Sequence, residues 1–330
     1  MKRPTLEAVA ARAGVSKSSV SRVVNGETTV SPAIRDQVIQ AVRELGYVPN
    51  GAARNLATQR TNVIAVIVSD PPQGLVSDDP MFSEVVRTVS RELEAAGKQI
   101  TLMLAGSAES RLRAQQLVAA GHVAGVMLVS MHGADPLPAS LARMGVPMVS
   151  FNRPSTAGVP YVDNDNVGGA TRAVRYLVSQ GRRRIATITG PLDMIASQDR
   201  LAGYRETLRE CGHRSIVAIG DFTRISGDRG MRQLLDDDPD LDAVFAANDL
   251  MAIGALRALR AAGRRVPEDV AVVGFDDIEA ALYTAPALTT VRSPMRDQAA
   301  ATVRLLLGLF DGAPRDPVIM PNDLVIRDSA

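Results

Sequence analysis

The segment AGVSKSSVSRVVNG, residues 13–26, combines small hydroxyl side chains with two cations, Lys17 and Arg22. Arg can donate two hydrogen bonds to O6 and N7 of guanine, Lys can reach guanine or phosphate, and Ser can donate to either kind of group. Serine adds little bulk, so such a face is narrow enough to enter the major groove of DNA. The solvated face of a helical bundle is the alternative, but the combination favours DNA contact by Lys17, Ser18, Ser19, Ser21, Arg22 and Asn25.

The spacing of apolar residues predicts three short helices that position this face. Thr5 caps the first and Gly14 ends it, with Glu7 in the first turn, where an acidic residue suits the helix dipole. Ser16 caps the second after only a few residues, which is the spacing of a helix-turn-helix. The third begins at Ser31. The predicted apolar faces are Leu6, Val9, Ala10 and Ala13, then Val20, Val23 and Val24, then Ile34, Val38, Ile39, Ala41, Val42 and Leu45.

A short helical pattern, NGAARNLATQRT, follows Pro49 and places Ala52, Ala53 and Leu56 on one side. No nearby segment of the sequence would bury Leu56, and a helix of this length is marginal alone. The segment is therefore either a linker or a helix that becomes ordered when a partner covers its apolar side.

Charge and composition separate the two ends of the chain. Residues 1–60 contain nine basic and four acidic side chains, whereas residues 61–330 carry a small acidic excess. A basic head on an acidic body indicates a polyanion-binding module joined to a separate function. The sequence shows no apolar run of membrane-spanning length, no signal peptide, a single cysteine and three scattered histidines. We therefore expect a cytoplasmic protein with no membrane segment, cofactor or metal.

From Asn62 onwards, strand-like apolar runs alternate with amphipathic helical stretches. This alternation predicts doubly wound parallel sheets, and so many strands fit two α/β lobes better than one sheet. We place the boundary between the lobes near Tyr161 and the return crossing near Thr290. A small molecule would then bind between the lobes, at the carboxyl ends of the strands.

Polar and aromatic residues at the predicted strand ends are the candidates for binding that molecule. Phe82 and Phe222 are aromatics among polar neighbours, and each is either an apolar platform for a sugar ring or base, or simple core filling. Arg200 lies at a predicted helix start, where a cation is unfavourable, which suggests a ligand role. Asn248 and Asp276 could be helix caps or ligand contacts. The remaining candidates are Ser69, Ser130, Asn152, Ser293 and Met295.

The polar character of this set favours a sugar or short oligosaccharide. A purine would favour stacking aromatics on facing sides, and Met295 weakens that arrangement. Carboxylate pairs such as Asp163 with Asp165 would permit acid–base catalysis, but no His or Lys accompanies them, so we predict no enzyme. A transport receptor would need an export signal.

The run TLEAVAARAGVSKSSVSRVVNG and the following VSPAIRDQVIQAVRELGYVPNGAARNLA resemble the lactose-repressor family of bacterial transcription regulators. The resemblance continues through YVDNDNVGGATRAVRYLVSQGRRRIATITGP, DRLAGYRETL, FAANDLMAIGAL, VAVVGFDDIE and PALTTVRSP, and so spans nearly the whole chain. It implies an all-α helix-turn-helix headpiece and a two-lobed core similar to periplasmic sugar-binding proteins.

The same resemblance implies how the headpiece acts. A homodimer would bind a palindromic operator in double-stranded DNA, with Lys17, Ser18 and Arg22 contacting bases. Ser16 and Asn25 would hold phosphates or the turn, with Thr5 at the same surface. Paired hinge helices would enter the minor groove, where Leu56, beside Ala52 and Ala53, would wedge between base steps. No leucine heptad tail follows the core, so a dimer is expected instead of a tetramer.

In the core, the resemblance implies that Arg200 clamps the effector, the small molecule that regulates DNA binding, and that Asp276 accepts hydrogen bonds from its hydroxyls. We predict a repressor released by a small carbohydrate, with a purine- or nucleoside-dependent repressor that needs its corepressor as the alternative. The predicted organisation is a headpiece at 1–48, a hinge at 49–60 and a core at 61–330. The first lobe would take about 61–160 and 292–322, and the second about 161–291 and 323–330.

Overall fold

The computed structural model describes residues 4–24, 29–47, 61–69, 80–133 and 135–330. The chain divides into two compact units, Met1–Thr61 and Asn62–Ala330, which are described separately below. Four predicted contact residues lie outside the described residues, namely Asn25, Ala52, Ala53 and Leu56.

The first unit contains three described helices, α1 Leu6–Ala13, α2 Lys17–Val24 and α3 Pro32–Leu45. The Thr5 hydroxyl accepts a hydrogen bond from the Ala8 amide at 3.3 Å, and Gly14 ends α1 in the left-handed conformation, as predicted. Val9, Val20 and Val38 are fully buried where the three helices meet. Ile39 was predicted to join them but is 38% exposed. It lies 100° around α3 from Val38, outside the face that packs on α1 and α2.

The second unit begins with alternating strands and helices: β1 Val63–Val68, α4 Pro80–Ala95, β2 Gln99–Leu104, α5 Ala108–Ala119, β3 Gly125–Val129, α6 Leu137–Arg143, β4 Met148–Phe151 and β5 Tyr161–Asn164. It continues with α7 Asn166–Ser179, β6 Ile185–Thr189, α8 Ile195–Glu210, β7 Ile216–Ile219, α9 Arg224–Asp237, β8 Ala243–Ala246, α10 Asp249–Ala261 and β9 Ala271–Asp276. A 3₁₀ helix, Glu279–Tyr283, precedes β10 Thr289–Arg292, α11 Met295–Phe310, β11 Val318–Met320 and β12 Asp323–Val325.

These strands form two six-stranded sheets. The first has the order β11-β5-β4-β3-β1-β2 and the second β12-β10-β9-β8-β6-β7. The pairings are parallel except for β12, which runs antiparallel to β10. Apolar clusters pack helices on both faces of each sheet. The predicted fold, a helical headpiece followed by two doubly wound α/β lobes, is confirmed.

The chain crosses between the two sheets three times, after β5, after β10 and after β11. The boundary expected near Tyr161 is therefore too early, because Tyr161 pairs with Ser150 inside the first sheet. The return expected near Thr290 is also early, because Thr290 pairs with Gly274 inside the second sheet.

Candidate DNA-contacting surface and ligand site

The exposed face of α2 carries the predicted DNA-contacting side chains. Lys17, Ser18 and Arg22 are exposed, and Ser21 is half-buried. The Ser16 oxygen accepts a hydrogen bond from the Ser19 amide at 3.1 Å, which caps α2 as predicted. The Ser16 hydroxyl also lies 2.8 Å from that of Ser18 and 2.9 Å from that of Ser19. The hydroxyls of these three serines therefore form hydrogen bonds with one another at the start of the helix.

An ion pair joins the first turns of α1 and α2. The Lys17 ammonium donates a hydrogen bond to a Glu7 carboxylate oxygen, although both side chains are more than 60% exposed. This hydrogen bond, with further ones from the Glu7 amide and Thr5, lowers the pKa of Glu7 to about 2. From the sequence, Glu7 was expected only to stabilise the start of α1 through the helix dipole. Ten residues separate it from Lys17, so only the folded headpiece brings them together.

Backbone strain is concentrated at the candidate ligand site in the second unit. Among the described residues, five non-glycine residues have positive φ: Ser130, Asn152, Phe222, Asp276 and Asp277. The first four were predicted to bind the effector. Such conformations cost about 1–3 kcal/mol each and cluster at ligand sites, where surrounding structure holds them. Ser130 and Asn152 directly follow β3 and β4, and Asp276 ends β9.

Arg200 is the centre of the second-lobe site. Its guanidinium Nε donates to Asn166 Oδ1 at 2.9 Å, and Nη2 lies 3.4 Å from Asp276 Oδ1. Its Cζ lies 3.7 Å from the ring centre of Phe275. The Ser293 hydroxyl lies 3.5 Å from the same Asp276 oxygen. We call these five residues, Asn166, Arg200, Phe275, Asp276 and Ser293, the Arg200 cluster.

The reason given for selecting Arg200 from the sequence was wrong. Because α8 begins at Ile195, Arg200 lies in its second turn and does not oppose the helix dipole. What distinguishes it is burial, since only 7% of the residue is exposed. A buried arginine requires several acceptors, and it finds them in Asn166, Asp276 and the Ala247 carbonyl.

Burial and neighbouring charges shift the pKa of Arg200 in opposite directions. Burial lowers the pKa of its guanidinium, and the carboxylates of Asp276, Asp163 and Asp249 raise it. Burial also raises the pKa of Asp163, and it raises that of Asp249 well above the usual value with help from the charge of Asp276. The site is thus one cation held among three acids in a dry environment, which suits a ligand with many hydroxyl donors and acceptors.

Asn248 caps α10 and also fixes Phe222. Its Oδ1 accepts from the Met251 amide at 2.9 Å, and its Nδ2 donates to the Phe222 carbonyl at 3.0 Å. Phe222 is only 8% exposed, which favours core filling, one of the two alternatives, over an exposed platform. Its left-handed backbone turns the ring towards Gly190, where an added Cβ would lie 2.2 Å from Cζ. The ring centre remains 6.0 Å from the Arg200 guanidinium.

The first lobe supplies a second polar group. Asn152 Oδ1 accepts from Gln298 Nε2 at 2.7 Å, so this strand-end residue contacts α11. The Ser69 hydroxyl donates to Asp135, whose carboxylate also accepts from Arg111 at 3.2 Å. Ser69 therefore belongs to a network within the first lobe.

Two further candidates lie at α11 and α4. Met295 is the first residue of α11 and its amide donates to the Ser293 carbonyl at 2.8 Å. Phe82 is half-buried on α4 and packs against the apolar core of the first lobe.

Two polar bridges hold the lobes together. Arg153, which follows Asn152, donates to both carboxylate oxygens of Asp199 on α8. His132 Nδ1 lies 3.1 Å from Asp193 Oδ2, and the Gly133 amide donates to the Asp193 carbonyl at 2.9 Å. Each bridge joins the loop after a first-lobe strand to residues near the start of α8.

Three residues of these contacts were not predicted from the sequence: Asn166, Phe275 and Gln298. Asn166 and Phe275 fall within segments that were quoted for the family resemblance, and each adjoins a strand end. Gln298 lies in the first turn of α11, after the crossing from β10. The only sequence signal for Gln298 is an amide side chain close to a predicted helix start. Its partner, Asn152, is far away in sequence, so the contact itself could not be predicted.

In the part of the chain that the structure describes, no helix is long and apolar enough to span a bilayer. Nor do those residues form a group of three or more His, Cys, Asp or Glu that could hold a metal ion.

Comparison with known proteins agrees with these features. Residues 5–50 match the model for bacterial regulatory proteins of the lacI family, and residues 174–330 match a periplasmic binding protein-like domain. The HTH-type transcriptional regulator CelR of Thermobifida fusca is 47% identical over 99% of this chain and 98% of its own length.

Two solved structures also match nearly the full length. A complex of the transcriptional regulator CelR with cellobiose has a TM-score of 0.78 at 45% identity and covers 99% of this chain and 100% of its own. The lac repressor dimer bound to operator and the anti-inducer ONPF has a TM-score of 0.89 at 30% identity and covers 99% of each chain. The resemblance stated from the sequence is confirmed: this chain belongs to the lacI family of bacterial regulatory proteins.

Proposed function

We propose that the protein is a DNA-binding repressor that binds a palindromic operator as a homodimer and is released by a β-linked glucose disaccharide such as cellobiose. The observation that supports this most directly is the Arg200 cluster. It places a buried guanidinium against Asp276 in a chain that is 45% identical to CelR in its complex with cellobiose.

The chemistry of the cluster suits a sugar. Within the cluster, Asp276 can accept hydrogen bonds from ligand hydroxyls and Arg200 can donate to them. Asn248 and Asn152, which lie outside the cluster as defined, carry amides that can also donate. The strained backbones at Asn152, Phe222 and Asp276 would hold these groups in fixed positions. A purine corepressor is less well supported, because Phe222 is buried and Phe82 packs against the core of the first lobe.

Exposed apolar side chains support the homodimer. In the first lobe, Leu102 and Leu104 are 43% and 54% exposed on the same side of the edge strand β2. In the second lobe, Ile225 and Tyr283 are 78% and 79% exposed. Apolar surface on both lobes is expected where two copies pack along their length. Two headpieces could then bind the two half-sites of a palindrome.

We infer that regulation acts through the lobes. A sugar that binds between them would stabilise one relative orientation of the two sheets and change the separation of the dimer's headpieces. Because such coupling is reciprocal, operator DNA should weaken sugar binding by the same factor. The relatives are regulators, so we infer that the chain acts by binding and not by catalysis, in the cytoplasm, where the DNA is.

Calorimetric titration of the full chain with cellobiose tests the ligand, with the α-linked disaccharide maltose as the control. We expect cellobiose binding that Arg200→Met reduces at least a hundredfold, because several hydrogen bonds are lost together. Arg265→Met, which removes an ion pair elsewhere in the second lobe, should bind normally. Equal binding of both sugars, or none, would overturn the proposed effector.

Release is tested on DNA that the full chain enriches from a randomised duplex library. Gel-shift titration should show that cellobiose lowers affinity for the enriched duplex. It should leave the affinity of Arg200→Met unchanged. An increase in DNA affinity on adding cellobiose would overturn the inducer assignment.

A further inference from the structure

We propose that Glu7 is a positioning residue that sets the base preference of the protein by orienting Lys17. This inference rests on the proposed function, in which α2 contacts bases in the major groove. The observation is the ion pair that joins the first turn of α1 to the first residue of α2.

A carboxylate on a DNA-contacting surface opposes binding, because it repels phosphates. Glu7 is exposed and close to two residues of that surface, Thr5 and Lys17. A negative charge at this position weakens electrostatic attraction to the DNA backbone. We therefore expect a contact of Glu7 that offsets this cost. The hydrogen bond to Lys17 provides one, since it satisfies the carboxylate and neutralises its charge.

The same hydrogen bond limits where the Lys17 ammonium can lie. A free lysine has four flexible side-chain bonds and binds phosphates as readily as guanine. One that is held by Glu7 keeps two of its three ammonium hydrogens in a restricted region near the start of α2. Such a lysine contacts one base edge well and the variable phosphate positions poorly. Glu7 thereby lowers the affinity for non-specific DNA and raises the selectivity for particular bases.

The headpiece contains a matched control. Arg12 on α1 and Glu44 on α3 form a second exposed ion pair that does not involve α2. Glu44→Gln changes the net charge of the headpiece by the same amount as Glu7→Gln and also frees a cation. A general electrostatic effect on DNA affinity must therefore appear in both variants, whereas an effect on base preference must appear only in Glu7→Gln.

The test uses fluorescence anisotropy with the full chain and the duplex it enriches from a randomised library. Single base-pair changes are made through one half-site, and each affinity is measured over a range of salt. We expect Glu7→Gln to lose about tenfold in discrimination at one or two base pairs. On a non-cognate duplex we expect tighter binding, with a log–log salt slope steeper by about 0.9 as Lys17 gains a phosphate contact.

A Lys17→Met background separates the remaining explanations. If Glu7 acts through Lys17, adding Glu7→Gln to this background changes no base preference further. If the effect persists there, Glu7 contacts a base itself and the proposal is overturned. Equal base preferences of Glu7→Gln and the wild type also overturn it, whereas a wild type that enriches no sequence would instead contradict the proposed function. Thermal unfolding verifies that each variant is folded, as expected for these exposed side chains.

Discussion

Nη2 of Arg153 lies 2.6 Å from Oδ1 of Asp199, which joins the loop after β4 in the first lobe to α8 in the second. The residues beside them, Asn152 and Arg200, are both predicted effector contacts. The bridge between the lobes and the proposed sugar site are therefore adjacent along both segments. Any movement of one lobe relative to the other must change both.

We expect Arg153→Met to weaken cellobiose binding up to about fivefold. The side chains are 41% and 22% exposed, so the pair contributes about 0.2–1 kcal/mol to the closed arrangement of the lobes. Calorimetry measures the change. Arg265→Met removes an exposed pair with Asp269 within the second lobe and should leave sugar affinity unchanged. Equal losses in the two variants would show that the effect is not specific to the bridge.

Asn248→Ala should lower the melting temperature of the protein. Loss of the helix cap costs about 1 kcal/mol, and loss of the hydrogen bond to the Phe222 carbonyl adds to it. Asn248→Ser keeps a cap but has no side-chain amide, so it should recover part of the stability. It should still bind cellobiose poorly, because the side-chain amide proposed to donate to the sugar is absent. Thermal unfolding and calorimetry on the same samples separate the two roles.

Gly190→Ala should destabilise the second lobe by about 1–3 kcal/mol. The added methyl would overlap the Phe222 ring and lie 2.5 Å from the Ser197 hydroxyl. The double variant Gly190→Ala/Phe222→Leu replaces the ring by a smaller side chain and should recover part of the lost stability. Denaturant unfolding measures the free energies. If the second change instead adds to the first, the two side chains do not compete for this space.

Glu7 should remain ionised at pH 4, below the usual Glu pKa of 4.5. Because its folded-state pKa is lowered to about 2, the ion pair's contribution to stability is complete above pH 4.5 and is lost as the pH falls towards 2. The carboxyl ¹³C shift of Glu7 should thus stay constant from pH 7 to pH 4. In Lys17→Gln it should begin to change near pH 5. An early change in the wild type would argue against the ion pair.

Local periodicity was sufficient to predict the helical headpiece and the two parallel sheets. The apolar runs of β1, β3, β6 and β9 are buried on both faces and read as continuous hydrophobic segments. Four short strands were not predicted, because each has only three or four residues: β5, β7, β11 and β12. The last three are also partly exposed. Their pairing depends on neighbours that are distant in sequence.

The ligand site was predictable only in part. Strand ends followed by polar residues identified Asn152, Asn248 and Asp276, since the carboxyl ends of parallel strands meet at one edge. The burial of Arg200 and the inward turn of Phe222 were not predictable, because both depend on tertiary contacts with β8, β9 and Gly190. The same is true of the ion pair between Glu7 and Lys17.

The three crossings also have a consequence for synthesis on the ribosome. The first sheet receives its outer strand β11 only after the other five strands of the second sheet have been made, and β12 closes the edge of the second sheet a few residues later. The hydrogen bonding of the first sheet is therefore complete only once β11 has been made, and that of the second sheet only once β12 follows. The headpiece, whose core is entirely local, can form long before them. The nascent chain thus has a folded DNA-contacting headpiece before the two lobes that regulate it are complete.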